Sequence, residues 1–549
     1  MTIPIISIFG LKGVMTKKDY KNMRFLIVDN VKPSQEILKQ FVMRSTIKPV
    51  DTTYYAQNVS AICQQRDYDV ILLGYDLGDN QKNGQQILED LRVNRHINRQ
   101  CIVILITAEV SQSMVLAALE HKPDHYLCKP YSLSNLDKRL KYCLHKKKMM
   151  GGIYQALDDG NSALVIERCK DALSKKTPYK LECLGIISRQ YFELQQYNNA
   201  KTIYLTHQNS TNCQWATIGL GKIALHEKKL SEAESLFKLL IKDYPLYLAS
   251  YDWLAITYEE QFHYLLAEDI LEKALLLSPR SLTRLKKYAR LCIQNENFDK
   301  ATIAYENNYQ LAHNSIHHCS DNTINYVNAL IEHAPSLSLI EAKKINSKAL
   351  SFLKQMAKDF KSSDIKVQSY LLSACLFEIT KEHKLALLES IKGEELLKIE
   401  QGNIPIDKLK EISKTLIKLN KNDLATDLLE TKEEKVLPQL YAEKINSPLT
   451  LRDKAQADIR FGLRLYTQQK YPEAIIKLQD ASKVFPQNTG IKLNLIQALL
   501  VSYEKSEQST DVINKADILL QELSQLKLSK DELERLKKMQ KKYQQIAGI

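Results

Sequence analysis

The sequence predicts two structural classes in one chain: an α/β domain with a doubly wound parallel sheet, followed by a long all-α solenoid. Short apolar runs alternate with amphipathic stretches over residues 24–145, which is typical of strands alternating with helices. Beyond residue 152 the strand-like runs disappear and helical periodicity remains. A motif then recurs about every 34 residues, which indicates stacked helical repeats.

The composition supports helices and argues against several functions. The chain has 549 residues with only 16 Gly and 14 Pro, which favours helices over a strand-and-turn protein. The formal net charge is +13, but no arginine-rich block and no zinc-finger spacing occurs, so no nucleic-acid binding is expected. No run of about 18 apolar residues is present, so no membrane span is expected.

The cysteines and the start of the chain predict a cytoplasmic protein. The ten cysteines form no C-x-x-C pair and lie in apolar or helical contexts, as buried thiols in a reducing compartment do. The apolar start lacks a basic segment and a small-residue cleavage site, so it is not expected to be a signal peptide. We interpret residues 1–22 as an N-terminal extension.

The first domain is predicted over residues 23–148. Four apolar runs indicate strands, at residues 25–28, 68–73, 101–106 and 126–128. Helices are predicted at residues 33–44, 84–93 and 133–146. In such sheets ligands bind at the carboxyl ends of the strands. The basic run and the Gly-Gly pair in residues 145–152 mark a boundary, where the lysines are either solvated or contact an acidic lipid or partner.

Helical repeats are predicted over residues 181–315. Four alanines are spaced by 33, 34 and 34 residues, each with a large apolar residue four positions later: Ala200, Ala233, Ala267 and Ala301. Twelve positions before each alanine lies a small residue: Ser188, Gly221, Ala255 and Ala289. A small residue lets two antiparallel helices approach, and the large residue fills the gap to the next repeat. The pattern resembles the tetratricopeptide (TPR) repeat, which implies protein binding on a concave surface.

The remaining segments are assigned from the same pattern. Residues 149–180 are expected to be a connecting helical segment, and residues 316–450 are expected to be helical hairpins that have diverged from the motif. The repeat returns in residues 451–549, with a fifth unit marked by Gly462, Ala474, Leu478, Ala481 and Pro486. A polar helix at residues 530–547 is expected to cap the array.

Polar residues follow the strands of the first domain. Asp29 and Asn30 follow the first strand, Thr107 follows the run at 101–106, and Lys129-Pro130 follows the last. This arrangement resembles the receiver domain of response regulators over about 120 residues. The resemblance implies a CheY-like five-stranded sheet, a Mg²⁺ site of acidic residues, a phosphoacceptor Asp after the third strand, and a hydroxyl and an ammonium that bind phosphoryl oxygens.

The resemblance places Gly74 at the phosphoacceptor position. Glycine has no nucleophile, so ordinary aspartyl phosphorylation is not expected there, and the domain is interpreted as a pseudo-receiver. Asn30 replaces the second acidic residue, so Asp29 alone would hold Mg²⁺ only weakly, and no cofactor is expected. Tyr126 matches the aromatic switch position of the family. Asp76 and Asp79 remain alternative acceptors, although the backbone should already be turning into a loop there.

Two further sets of residues are candidates for binding. The ninth position of each first helix usually faces the groove, and basic residues at or near it predict an acidic partner segment, unless they are merely solvated: Arg189, Lys222, Lys286 and Arg290. A cluster with metal-ligand side chains lies within seven residues: His313, His317, His318 and Cys319. His313 and His317 have the spacing of one helix face, but an ordinary polar turn is the alternative.

These features predict a signalling protein without enzyme activity, because no P-loop, H-E-x-x-H or G-x-S-x-G motif occurs. The expected partners are a sensor histidine kinase, or its phosphotransfer or receiver domains, and other proteins that enter the TPR groove. The first hypothesis is an adaptor that inhibits or modulates autophosphorylation and phosphotransfer. The alternatives are a phosphorylatable regulator that uses Asp76 or Asp79, and a general protein scaffold. Whether the chain forms a homodimer stays open.

Overall fold

The structure is a computed structural model. It describes residues 20–44, 46–78, 81–108, 111–120, 122–334, 337–433, 458–459, 461–484, 488–505, 510–524 and 530–547. Asp79, Pro486 and most of the predicted N-terminal extension lie outside the described residues.

Five parallel strands form the sheet of the first domain, in the order β2-β1-β3-β4-β5. The strands are β1 (Phe25–Val28), β2 (Val50–Thr53), β3 (Val70–Gly74), β4 (Ile102–Thr107) and β5 (His125–Cys128). All residues of β1, β3 and β4 are buried, because helices cover both faces of the sheet. The predicted doubly wound fold is confirmed. The edge strand β2, Val-Asp-Thr-Thr, was not predicted because it has no apolar run.

Five helices surround this sheet: α1 (Lys32–Met43), α2 (Val59–Gln65), α3 (Gly84–Val93), α4 (Gln112–Glu120) and α5 (Leu133–Asp158). A single 3-10 turn, Ala56–Asn58, precedes α2. Helix α3 begins with a capping box, in which the Asn83 side chain accepts from the Gln86 backbone N–H and the Gln86 side chain accepts from the Asn83 N–H. The start of α3 is therefore fixed, and it lies against the end of β3.

Helix α5 is longer than predicted. The sequence-based helix ended at Lys146, but α5 continues to Asp158 and includes both Gly151 and Gly152. Glycine inside a helix costs about 1 kcal/mol relative to alanine. At Gly151 a contact compensates: the Gln100 side chain donates to the Gly151 carbonyl at 2.6 Å, and a Cβ at Gly151 would lie only 2.9 Å from that side-chain nitrogen. The Gly-Gly pair therefore admits Gln100 and does not end the helix.

Two of the three lysines in the basic run on α5 form ion pairs within the chain. Lys146 forms an ion pair with Glu182 at 2.8 Å, and Lys147 forms one with Asp124 at 2.6 Å. His145 Nδ1 lies 2.9 Å from the Tyr179 hydroxyl. These side chains join the first domain to the helices that follow it.

A long series of helices makes up the rest of the described chain. The first ten are α6 (Ser162–Ser174), α7 (Lys180–Glu193), α8 (Tyr197–His207), α9 (Gln214–His226), α10 (Leu230–Asp243), α11 (Leu248–Glu260), α12 (Tyr264–Leu277), α13 (Leu282–Gln294), α14 (Phe298–Ala312) and α15 (Ser320–His333). They are followed by α16 (Leu339–Asp359), α17 (Ser363–Ile379), α18 (His383–Glu400), α19 (Ile406–Lys418) and α20 (Asn422–Glu433). Residues 461–467 are helical, and the last helices are α21 (Tyr471–Val484), α22 (Thr489–Lys505), α23 (Thr510–Ser524) and α24 (Lys530–Ala547).

The predicted small–large packing of the repeats is confirmed. The four repeat alanines are fully buried, and the large residues that follow them, such as Phe237 and Leu271, are buried as well. A Cβ at Gly221 would overlap the ring of Phe237, and a Cβ at Gly219 would overlap the ring of Tyr204. Glycine at these positions is therefore required by the close approach of neighbouring helices.

The array also contacts itself and the first domain. The Asn488 side chain donates to the Gln261 carbonyl at 3.3 Å, and Phe262 packs in a cluster with Ile459 and Ile491. The C-terminal helices thus lie against the loop between α11 and α12. Within the described residues, no helix is both long and apolar enough to span a membrane.

Candidate functional site

The predicted receiver pocket lies at the carboxyl ends of the parallel strands. Asp29 directly follows β1, Gly74 is the last residue of β3, Thr107 is the last residue of β4, and Lys129 directly follows β5. Because β1, β3, β4 and β5 are consecutive in the sheet, these residues share one edge of it.

The structure joins Asp29 and Lys129 directly. Lys129 Nζ lies 3.0 Å from Asp29 Oδ2, and the Asp29 side chain is almost completely buried. Asp29 Oδ2 also accepts from the Ser34 hydroxyl at 2.7 Å, and Oδ1 accepts from the Val31 backbone N–H at 2.9 Å. Three donors thus satisfy the buried carboxylate, as a buried charge requires.

Two side chains of this site were not predicted. Ser34, on α1, hydrogen-bonds to Asp29, and Tyr131 lies beside both. Burial and the negative charge of Asp29 raise the pKa of Tyr131 to about 12, while its hydrogen bond with Ser34 opposes the shift. Tyr131 is therefore neutral at neutral pH. No motif in the sequence distinguishes these two residues from ordinary helix and loop positions.

Gly74 lies in a tight space. A Cβ at this position would meet the Val28 carbonyl oxygen at 3.0 Å, a methyl group of Leu77 at 3.2 Å and the Asp29 Cα at 3.6 Å. Gly84, the first residue of α3, lies on the other side, and a Cβ there would overlap the Gly74 carbonyl oxygen. A side chain at position 74 would therefore require the Val28 carbonyl oxygen and the Leu77 methyl group to give way by a few tenths of an ångström.

The other predicted pocket residues are placed as follows. Thr107 is buried, and its carbonyl accepts from the Lys129 backbone N–H at 2.6 Å. Tyr126 is half-buried, lies opposite Leu105 in the β4–β5 register, and packs on the cluster that contains Tyr75 and Leu77. Asn30 is exposed, and its side-chain amide approaches Gly78 across the pocket edge.

Asp76 lies beyond the end of β3, in the loop. Its carboxylate is exposed and accepts from the Gly78 backbone N–H at 3.1 Å. This local turn satisfies one carboxylate oxygen within the loop itself. The other alternative acceptor, Asp79, is outside the described residues.

The donor set fits Mg²⁺ poorly. Mg²⁺ prefers several oxygen ligands in octahedral geometry, often with one or two carboxylates. The described pocket edge offers one buried carboxylate, Asp29, and Lys129 already balances its charge. Neither Gly74 nor Asn30 adds a negative charge. The chemistry of these residues therefore favours a closed ion pair over a metal centre.

The first domain docks on its own helical array through α3 and α4. Arg284 on α13 is only 2% exposed and donates to Asp252 at 2.8 and 2.9 Å and to Glu120, the last residue of α4, at 2.7 Å. The Ser278 hydroxyl donates to the other Glu120 oxygen at 2.9 Å. One carboxylate of the first domain is thus held by two residues of the array.

Three further contacts extend this interface. The Gln86 side chain donates to the Leu311 carbonyl at 2.9 Å, and His317 Nε2 lies 2.8 Å from Glu89 Oε1. Arg280 donates to the hydroxyl of Tyr75, the residue after Gly74, at 3.3 Å. The interface therefore reaches the end of β3, next to the pocket.

Two of the four predicted basic groove residues are engaged within the chain. Arg290 forms an ion pair with Glu259, and Lys222 lies between the rings of Phe192 and Trp253, at 4.3 and 5.0 Å from their centroids. Arg189 and Lys286 are exposed. A continuous free basic stripe is therefore not formed by these four residues.

The histidine cluster is rearranged relative to the prediction. Helix α14 ends at Ala312, so His313 and His317 do not share a helix face, and His317 pairs with Glu89 instead. His318 Nε2 lies 3.1 Å from Asp359 Oδ2, and ligand atoms of His313, His318 and Asp359 lie within 4.8 Å of one another. His313 and His317 thus lie in a turn, which was the alternative to a shared helix face, and Asp359 was not anticipated.

Comparisons with known proteins follow this division of the chain. The family profile described as "Response regulator receiver domain" matches residues 25–141. Chemotaxis protein CheY-3 of Vibrio cholerae serotype O1 is 22% identical over 120 residues, which are 22% of this chain and 90% of that protein. The same figures hold for CheY-3 of a second strain of that serotype.

Solved structures resemble each part separately. A two-component response regulator from Clostridium difficile is 25% identical, with 23% of this chain and 97% of that chain covered and a TM-score of 0.20. The C-terminal part of a TPR repeat-containing protein from Cytophaga hutchinsonii is 15% identical, with 50% and 98% covered and a TM-score of 0.34.

Residues 25–141 match the response-regulator receiver profile and have the doubly wound fold expected of it, and the helices that follow form an array with the small–large packing expected of TPR-like repeats. The match of residues 25–141 to the receiver profile supports a role in two-component signalling.

The residues between the two domains were not predicted as functional. Arg284 did carry a signal: it precedes Tyr288 and Cys292 at intervals of four, so it is a charged residue on the buried face of its helix. Its partner Glu120 carries no such signal, because the contact depends on how the array curves.

Proposed function

We propose that this protein is a cytoplasmic two-component adaptor whose receiver domain docks on a sensor histidine kinase, or on its phosphotransfer or receiver domain, without accepting the phosphoryl group. The observation that carries this proposal is Gly74 at the end of β3, where the family places its acceptor. An adaptor that binds the kinase but cannot accept its phosphoryl group competes with a phosphorylatable receiver for the same binding site. It thereby lowers autophosphorylation or phosphotransfer.

The pocket supports this role because its remaining charges neutralise each other. Asp29 and Lys129 form a buried ion pair, so neither is free to hold a metal or a phosphoryl oxygen without breaking it. The strands and helices of the receiver are retained around this pair. What the domain then offers to a partner is the shape of the receiver surface.

The free face of the receiver lies on α1. Its α3–α4 side is covered by the array, whereas Val31, whose N–H donates to Asp29, is 49% exposed, and Ile37, further along on α1, is 54% exposed. Exposed apolar side chains that flank a polar centre are suited to a protein interface. We assign the kinase contact to this face.

The test is a phosphotransfer assay with the kinase encoded nearby, with and without the full-length protein. We expect phosphoryl flux to fall while the protein stays unlabelled. Ile37→Asp should relieve the inhibition, because it places a charge in the interface, whereas the equally exposed Ile417→Asp on α19 should not. Labelling like that of a competent receiver would contradict the proposal, and so would equal inhibition by both variants.

A second candidate is a phosphorylatable regulator that uses Asp76. The exposed Asp76 carboxylate at the carboxyl edge of the sheet favours it. Acetyl phosphate treatment followed by intact mass measurement decides between the two. A phosphoryl adduct that Asp76→Ala abolishes would support the second candidate and exclude the first.

A further inference from the structure

A cavity of about 600 Å³ lies between the receiver domain and the array. Residues of the α3 start and of α4 line one side, and the beginnings of α11 and α13 line the other. This volume falls within the range of small-molecule sites, which occur preferentially between domains. The cavity is distinct from the receiver pocket, since Asp29, Gly74 and Lys129 do not line it.

Two helix N-termini at the cavity lack a capping group. Leu248 and Ala249 of α11 and Leu282 and Thr283 of α13 line it. Neither helix has a side-chain cap or an acidic residue in its first turn. Their first N–H groups and the positive ends of their dipoles are therefore available to an anion.

Deeply buried polar groups in the wall lack partners. Arg284 is 2% exposed, and its Nη1 has no hydrogen-bond partner within the described structure, although Nε and Nη2 bind Asp252 and Glu120. Gln85 is 7% exposed, and its Oε1 also lacks a partner among the described residues. Buried donors and acceptors are normally satisfied, so both atoms have hydrogen-bonding capacity left for a ligand in the cavity.

Two cationic side chains that line the cavity form no ion pair with a carboxylate of the described residues. Glu120 and Asp252 pair with Arg284, and Glu89 Oε1 lies at hydrogen-bond distance from His317 Nε2. Lys122 and Arg280 line the cavity and form no ion pair in the described part of the chain. Partial desolvation and the nearby cations Arg189, Arg99 and Arg92 lower the pKa of Lys122, and an anion in the cavity would oppose this shift.

We propose that this cavity binds a phosphate-bearing small molecule, with its phosphate on the α11 and α13 N-termini, Arg280 and Lys122, and its polar remainder near Gln85. Phosphate suits this donor set because it offers several oxygens to backbone N–H groups and guanidinium forks. The cavity is larger than one phosphate, which leaves room for an organic part. The ligand would touch both domains and so stabilise their docking.

Isothermal titration of the full-length protein with inorganic phosphate, against chloride at matched ionic strength, tests this proposal. We expect saturable binding that Arg280→Gln and Lys122→Gln each weaken about tenfold or more. Both residues are exposed, so these variants should fold, and circular dichroism checks this. Lys228→Gln removes an exposed lysine elsewhere and should bind like the parent.

Arg284→Lys serves as a further variant, because it keeps the charge but loses the unpartnered Nη1 donor. Absence of saturable phosphate binding to the parent protein would overturn the proposal. Equal affinity in the parent, Arg280→Gln and Lys122→Gln would overturn it as well. Because no kinase is present, the outcome is independent of the adaptor function.

Discussion

Arg284 on α13 and Glu120 on α4 form an ion pair of 2.7 Å that joins the TPR-like array to the receiver domain. The guanidinium is buried and the carboxylate is about a quarter exposed. A charge at this depth is tolerated because Asp252 and Glu120 share it. The pair is therefore the centre of the contact between the two domains.

Removing the Glu120 charge should loosen this contact. In Glu120→Gln we expect a loss of about 1–2 kcal/mol of docking free energy, because a charge-assisted hydrogen bond becomes neutral while Asp252 still holds Arg284. A protease should then cut this variant faster than the parent protein. Small-angle scattering in solution should give the variant a larger radius of gyration. Glu260→Gln, which breaks an exposed pair with Lys228, is the matched control. Identical behaviour of the two variants would show that the contact does not hold the domains.

Breaking the pocket pair should destabilise the receiver more than removing it completely. Lys129→Met leaves the buried Asp29 without its cation, and we expect a loss of about 2–4 kcal/mol in unfolding free energy. The double variant Asp29→Asn with Lys129→Met should recover most of this loss. Denaturant unfolding of both variants measures the difference. Equal stabilities would show that the Asp29–Lys129 pair is not coupled.

An acceptor carboxylate at position 74 should restore phosphorylation, and more so when space is made for it. We expect Gly74→Asp with Asn30→Asp to gain acetyl-phosphate labelling, detected by intact mass, because the pair supplies a nucleophile and a second metal ligand. Adding Leu77→Ala should raise the labelled fraction, since the Leu77 methyl would lie 3.2 Å from the new Cβ. No labelling in any of these variants would show that Gly74 does not occupy the acceptor position.

Close contacts between helices should make replacement by alanine destabilising at Gly221 but not at Gly402. Gly221→Ala should cost about 1–3 kcal/mol, because the added Cβ overlaps the ring of Phe237. Gly402→Ala is the control, because an added Cβ there meets no atom within 4 Å. Thermal unfolding should show a lower Tm for the first variant alone. A similar Tm for both would contradict the small–large packing.

The sequence predicts what local patterns determine. Apolar runs locate β1, β3, β4 and β5, and the spacing of Ala200, Ala233, Ala267 and Ala301 locates the repeats, because burial imposes these patterns. Residues that follow the strands of a parallel sheet lie at the same edge of it. The sequence could therefore predict that Asp29 and Lys129 lie close together. The half-polar edge strand β2 carries no comparable pattern.

What the sequence did not predict depends on long-range geometry. The contacts of Glu120, Glu89 and Gln86 with the array follow from its curvature, which no short motif encodes. The histidine pair failed for a local reason, because α14 ends one residue before His313 and the Ser315 N–H closes a turn on the Ala312 carbonyl. Helix boundaries are the least certain part of any pattern of this kind.

The unbroken helix α5 belongs to both domains at once. Its first half packs on the receiver sheet, and its second half packs on α6. Any residue inserted between Lys147 and Ile153 would turn everything beyond it by about 100° and advance it by about 1.5 Å. The length of α5 therefore fixes the orientation of the receiver domain relative to the array. A different receiver domain could be fused to this array only if the length of α5 changed by whole helical turns.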